Sequence, residues 1–203
     1  MKIMPQNENL DIIFLIDRSG SMSGSEEDTI GGFNSYIKRE RDKGFETKVT
    51  TVLFDDQYEI LYKRKDIKEV ENLTDKEYYV RGMTTLYDAI GKTINLLDKE
   101  IDNKVLFVIM TDGMENDSRE YSKQQITNLI ESHNWEFIFI GADIDSYAEA
   151  RNIGIKKSRV ANYEKSKRGV GKLYDVIENV TCCMREDVDL DNANWKKDLE
   201  EFD

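Results

Sequence analysis

The sequence predicts an α/β domain built on a doubly wound, mostly parallel sheet with helices on both faces and one antiparallel edge strand. Three observations carry that expectation. Uninterrupted apolar runs within Leu10 to Asp17, Asn103 to Thr111 and Trp135 to Ala142 are dense in β-branched and aromatic residues, the composition of strands buried on both faces. Between those runs apolar residues recur at helical spacing, and strands alternating with helices wind a parallel sheet. Two further strand-like runs, Thr47 to Phe54 and Tyr58 to Tyr62, are separated only by Asp55, Asp56 and Gln57. So short a connection joins an antiparallel hairpin.

The elements follow in order. Residues 1–9 read as a flexible tail. The first strand ends at Asp17, and Ser25, Glu26, Glu27 and Asp28 then mark a helix start, a capping serine with acids in the first turn. That helix runs to about Arg41 with Ile30, Phe33, Asn34 and Ile37 on one face, and Gly44 closes it. After the hairpin, residues 63–80 are charged and weakly patterned, an irregular connection. Leu86, Ile90, Ile94 and Leu97 place a helix from about Thr85 to Leu97, with Thr85 available as its cap. The second buried strand leads to a helix carrying Ile126, Leu129 and Ile130, with Ser118 or Ser122 as cap. After the third, Asp143 and Asp145 are expected to cap a helix over Tyr147 to Asn152. A short strand from Arg159 to Asn162 and a helix from about Ser166 to Cys183 complete a domain spanning 10–185, with Val170, Leu173, Ile177 and Val180 toward the core. Residues 186–203 are acidic, with Trp195 and Phe202 among them, and are expected to be frayed or loosely docked.

Composition excludes several functions. The formal net charge of −12 over 203 residues argues against binding nucleic acid or anionic membrane through bulk charge. No apolar stretch approaches the roughly 18 residues of a spanning helix, and the polar first nine residues lack a signal peptide's apolar segment. The two cysteines, Cys182 and Cys183, are adjacent and cannot staple a fold, which leads us to expect a reducing, cytoplasmic location. One histidine, His133, leaves little material for a zinc site or a His-based triad.

The chemistry concentrates where the central strands end. Asp17, Ser19 and Ser21 offer three oxygens in a tight loop with Gly20 and Gly24, and converging hard oxygens are what Mg2+ or Mn2+ requires. Taken alone, that spacing also suits an ordinary strand-to-helix turn. Thr84 precedes the second helix, and Asp112 with Gly113 ends the second buried strand. Ligands of open α/β sheets bind at this carboxyl edge.

The three segments D17-R-S19-G-S21-M-S-G, G82-M-T84-T85-L-Y-D-A-I and T111-D112-G113-M-E-N together resemble the von Willebrand factor A family and its metal-ion-dependent adhesion site. The likeness covers roughly residues 10–183. Thr85 stands where the family often has a proline or small residue, which leaves Thr84 as the preferred ligand. The resemblance implies a Rossmann-like sheet and a metal site of Asp17, Ser19, Ser21, Thr84 and Asp112. The implied cation is Mg2+, with Mn2+ or Ca2+ as alternatives, keeping one coordination position open for a Glu or Asp side chain of a protein partner. It further suggests a stand-alone bacterial or phage member of the family.

Two other readings compete with a metal-dependent protein-binding module. A metal-assisted phosphatase or hydrolase needs a base: Glu115 or Asp143 could serve, though no pairing in the sequence supports either, and His133 is expected at a helix end away from the carboxyl edge. Ser19 stands where a haloacid-dehalogenase phosphatase would have a second aspartate, and a phosphate-cradling G-x-x-x-x-G-K-[ST] loop is absent. The third reading is a scaffold with a structural or vestigial site. Near the site, Arg18 is expected to be solvated, or else to orient an incoming carboxylate. Asp55 and Asp56 are expected in a solvated turn rather than on a metal. Met22, Met83 and Met114, one in each ligand loop, fit either core filler or an adaptable apolar rim. Glu200, Glu201 and Asp203 raise the further possibility that the acidic tail docks on a neighbouring molecule's site.

Overall fold

All eight residues of the central strand β1 (Leu10–Asp17) are buried, because a helical layer covers each face of the sheet. In this computed structural model, which describes residues 9–142, 145–163 and 167–197, α1 (Glu26–Lys43) follows it. The strands β2 (Thr47–Phe54) and β3 (Tyr58–Asp66) come next, then α2 (Leu86–Leu97), β4 (Lys104–Thr111) and α3 (Lys123–Ser132). The chain continues through β5 (Glu136–Ala142), α4 (Ser146–Asn152), β6 (Val160–Tyr163) and α5 (Lys167–Arg185). The sheet order is β3-β2-β1-β4-β5-β6. Every neighbouring pair is parallel except β2 with β3, the mostly parallel, doubly wound architecture expected.

Side-chain alternation along β1 divides the core. Ile12, Phe14 and Ile16 face Phe33, Tyr36 and Ile37 of α1 and Leu173, Ile177 and Val180 of α5. Ile13 and Leu15 face Ile90, Ile94 and Leu97 of α2 and Ile126 of α3. The Phe14 ring meets those of Phe33 and Tyr36 edge-on at 5.4 Å, a favoured aromatic geometry. Fully burying such a side chain stabilises the fold by about 1.5–3 kcal/mol.

Helix ends follow their local chemistry with two exceptions. Gly44 adopts the left-handed conformation that closes α1, at φ 77°, which glycine enters without steric cost. Ser122 and Gln125 form a capping box on α3, and Asp145 caps α4. Ser25, however, makes no side-chain cap on α1. Glu26 reaches back to the Gly24 N–H at 2.6 Å. Thr85 likewise does not cap α2: its hydroxyl donates to the Asp55 carbonyl at 2.6 Å.

Three expectations are corrected. β3 continues four residues beyond Tyr62, with Lys63 exposed on an edge strand where charge deters edge-to-edge pairing. The connection after it begins with a 3-10 turn (Ile67–Glu69) and buries Val70, Leu73 and Tyr78. Asn34 holds it by donating to the Leu73 carbonyl at 2.8 Å and accepting from its N–H at 2.7 Å. The segment after α5 is docked as far as residue 197. Leu190 and Trp195 join the core, and Arg159 pairs with Asp191 at 2.6 Å. The acids offered as ligands for a neighbour, Glu200, Glu201 and Asp203, lie outside the described residues, as does Phe202. The side chain of Val170 does too. Among the described residues no helix is long and apolar enough to cross a membrane.

Candidate metal centre

The sheet order changes direction between β1 and β4, so their loops diverge to opposite faces and leave a crevice at the carboxyl edge. Asp17 is the last residue of β1, and Asp112 directly follows β4. A 3-10 turn at Gly20–Met22 folds Ser19 and Ser21 back over that crevice. Gly82, at φ 66°, turns the middle loop so that Thr84 arrives from the third side, and Gly20 N–H donates to the Gly82 carbonyl at 3.2 Å.

All five candidate residues meet. Ser21 Oγ donates to Asp112 Oδ1 at 2.6 Å and lies 3.0 Å from Ser19 Oγ. The Ser19 N–H donates to Asp17 Oδ1 at 2.6 Å. Gly113 locates the remaining oxygens. A Cβ built on that residue would lie 2.7 Å from Thr84 Oγ1, 3.2 Å from Ser21 Oγ and 3.6 Å from Asp17 Oδ2. Oxygens from the first and middle loops therefore crowd against residue 113 of the third, at a point that stays open because that residue has no side chain.

That cradle fits a hard divalent cation. Among the described residues no group of three or more His, Cys, Asp or Glu side chains is placed to hold a metal. The donors here are two carboxylates and three hydroxyls, all hard oxygens suited to Mg2+. Asp17 is fully buried and Asp112 is 5% exposed. Loss of hydration pushes the Asp17 carboxyl up to about 6, opposed by hydrogen bonds from Thr111 and Ser19 and reinforced by the negative charge of Asp112. A cation between the two acids would remove that cost.

Several neighbours stand apart from their expected roles. Arg18 is neither solvated nor aimed at a ligand: it is fully buried. Its Nε donates to Asp55 Oδ2 at 2.9 Å, and its Nη1 lies 2.8 Å from Glu59 and donates to the Glu77 carbonyl at 3.2 Å. Asp55 is correspondingly no solvated turn residue. It is buried, it also accepts from Arg81 Nε at 2.7 Å, and hydrogen bonds from Arg81 and Gln57, with the Arg18 charge, hold its carboxyl below the usual range against the opposing effect of burial. A burial-compensating pair was hidden in the sequence because the two residues are 37 positions apart.

Of the methionines, Met22 is buried, while Met83 and Met114 are exposed beside the crevice. Of the candidate bases, Glu115 accepts from Tyr87 N–H at 2.9 Å and Ser118 N–H at 2.7 Å. His133 lies within hydrogen-bonding distance of Asp98, at 2.9 Å, and follows α3. Asp143 lies outside the described residues.

Sequence reasoning missed two contributors. Thr111 Oγ1 donates to Asp17 Oδ2 at 2.5 Å and is fully buried; a hydroxyl ending an otherwise apolar strand was the available signal. Asn116 Oδ1 accepts from Thr84 N–H at 3.0 Å, a long-range contact that left no local pattern.

Comparison with known proteins agrees with this architecture. Residues 11–176 match the von Willebrand factor type A domain family. No curated protein matches. Among solved structures, proximal thread matrix protein 1 from the mussel byssus, with a zinc-occupied MIDAS motif, is 18% identical at a TM-score of 0.65. That alignment covers 90% of this chain and 47% of the mussel protein, so the chain spans about half of it. The vWF domain of the type V pili tip protein Mfa5 from Porphyromonas gingivalis is 11% identical at a TM-score of 0.66, covering 89% of this chain and 96% of that domain. A D319A mutant of the PilB minor pilin from Streptococcus sanguinis is 12% identical at 0.68, covering 92% and 64%. At these identities the likeness is one of fold.

Proposed function

The chain belongs to the von Willebrand factor type A domain family, and from that premise we propose that it is a metal-dependent protein-binding module. Asp17, Ser19, Ser21, Thr84 and Asp112 would hold a divalent cation, Mg2+ in our reading. When bound, the cation would supply positive charge for a Glu or Asp carboxylate of a partner protein. Mg2+ dehydrates reluctantly and keeps waters, so some of these oxygens would reach it through water, and at least one position would be left open to the partner. The observation that carries the reading is the convergence of Asp17 Oδ2, Ser21 Oγ and Thr84 Oγ1 about the Cβ-less Gly113. The zinc named for the mussel relative supports a divalent cation in general.

The chain's own residues do the rest. Thr111 and the Ser19 N–H fix the Asp17 carboxylate, and Ser21 ties the first loop to Asp112. Met83 and Met114, half or more exposed, offer apolar surface beside the mouth for a partner to cover. Binding rather than catalysis is favoured because Glu115 and His133 are engaged in structural hydrogen bonds. The adjacent free cysteines, Cys182 and Cys183, suit a reducing cytoplasmic setting.

The test is to load the protein with Mn2+ and follow water-proton relaxation while adding a Glu-containing peptide or acetate. Displacement of bound water by both, but not by the peptide's Gln counterpart, supports the proposal. Relaxation unchanged by either carboxylate contradicts it.

A further inference from the structure

Thr84 carries the middle loop's only contribution to the cradle, yet nothing in its own loop explains how its hydroxyl is held there. It follows exposed Met83 and precedes a helix that lacks a side-chain cap of its own. The first N–H groups of any helix need partners from elsewhere, and in α2 they come from the loop after β4. Tyr87 N–H donates to Glu115 Oε2 at 2.9 Å, and Asp88 N–H donates to Ser118 Oγ at 3.1 Å. Asp88 returns the contact, accepting from the N–H groups of Arg119, Glu120 and Tyr121 at 2.9–3.0 Å. The two loops are thereby laced into one piece.

Asn116 stands at the point where this lacing meets Thr84. Its side-chain Oδ1 accepts from Thr84 N–H at 3.0 Å, and its own N–H donates to the Thr84 carbonyl at 3.1 Å. Asn116, four positions beyond Asp112, thus holds both backbone polar groups of Thr84; the Asp117 N–H shares the carbonyl at 3.4 Å, while the Thr84 N–H rests on the Asn116 side chain. We propose that Asn116 is a positioning residue for the metal centre: it sets the place of Thr84 relative to Asp112 and acts on the cation only through Thr84. The proposal rests on Thr84 being a ligand. Residues that orient a ligand typically change metal affinity by about 10–100-fold when removed.

A double-mutant cycle on the full chain tests it, with Mg2+ titrated by calorimetry and the metal-free melting temperature read beside it. Asn116→Ala should weaken Mg2+ by about 10–100-fold. Asn116→Asp, which keeps the acceptor for Thr84 N–H, should retain wild-type or tighter affinity. In a Thr84→Ala background, adding Asn116→Ala should weaken binding no further, since the residue acts through the lost hydroxyl. A merely structural role would lower the melting temperature without making the two losses non-additive. Equal affinity of wild type and Asn116→Ala, or fully additive losses, overturns the positioning role while leaving the metal centre standing. Failure of the wild type to bind Mg2+ overturns both. Should Asn116→Ala fail to fold, Asn116→Ser, too short to span the same bond, takes its place with the same outcomes.

Discussion

Replacing Asp55 by Asn removes one charge from a pair whose side chains are both completely buried. In the wild type the carboxylate accepts from Arg18 Nε at 2.9 Å, Arg81 Nε at 2.7 Å and Gln57 N–H at 2.5 Å. The variant keeps the shape but leaves the Arg18 guanidinium inside the protein with only Glu59, which is 46% exposed, as a charged partner. Breaking one side of a buried pair costs about 3–5 kcal/mol, and the remaining Glu59 places this case near about 3. For a chain of this size that corresponds to a melting temperature lower by about 6–12 °C. The assay is thermal unfolding by circular dichroism at pH 7 for wild type, Asp55→Asn, Arg18→Met and the double variant. The double should cost less than the sum of the singles by about 1–3 kcal/mol, because it leaves no orphaned charge. A single-variant loss below about 1 kcal/mol, the scale of an exposed ion pair, would refute the reasoning, as would strict additivity.

Three further outcomes follow from the same structure. Gly113→Ala should abolish Mg2+ binding, because its methyl would lie 2.7 Å from Thr84 Oγ1 and fill the cradle. Its cost to the metal-free fold should stay at about 1–3 kcal/mol, and calorimetry beside a melting curve separates the two effects. The Asp17 carboxyl, pushed up to about 6 from 3.8 by burial, binds its proton more tightly folded than unfolded. It therefore destabilises the metal-free protein by about 3 kcal/mol above pH 6, and the penalty disappears as pH falls toward 3.8. Melting curves of wild type and Asp17→Asn between pH 4 and 7.5 should diverge in that direction, and curves that stay parallel would count against it. Trp195→Ala should cost about 3–5 kcal/mol, since this residue is 3% exposed within the core. A near-neutral result in urea unfolding would mean the segment after α5 does not contribute to stability.

The parts of this molecule legible in the sequence are those written in local pattern. Apolar runs marked β1, β4 and β5 because both faces of a parallel strand are buried, and the runs of β1 and β4 end at Asp17 and Asp112, the acids of the crevice. Ser122 announced its helix, and Gly44 its end, through chemistry confined to one turn. What pattern did not reveal depends on residues far apart in the chain. Arg18 and Asp55 each look like surface residues until the fold joins them. Thr85 looks like a cap until Asp55 takes its hydroxyl, and Asn116 gives no sign of reaching Thr84. Trp195 was misjudged because it stands among polar residues, with Asn194 before it and Lys196 and Lys197 after it, where one aromatic leaves no periodic pattern. The five candidate ligands were named through the resemblance of three loop segments to the von Willebrand factor A family, and the fold brings those three segments to one edge of the sheet.

The central claim is that Asp17, Ser19, Ser21, Thr84 and Asp112 form a divalent-cation site. Its most direct test is calorimetric titration of Mg2+, Mn2+ and Ca2+ into the wild type, Asp17→Ala and Asp112→Ala, with circular dichroism to verify the fold. Saturable binding of one cation per chain by the wild type, lost in both variants while their folds persist, is the predicted result. A wild type that binds none of the three cations, alone or with acetate present, would contradict it.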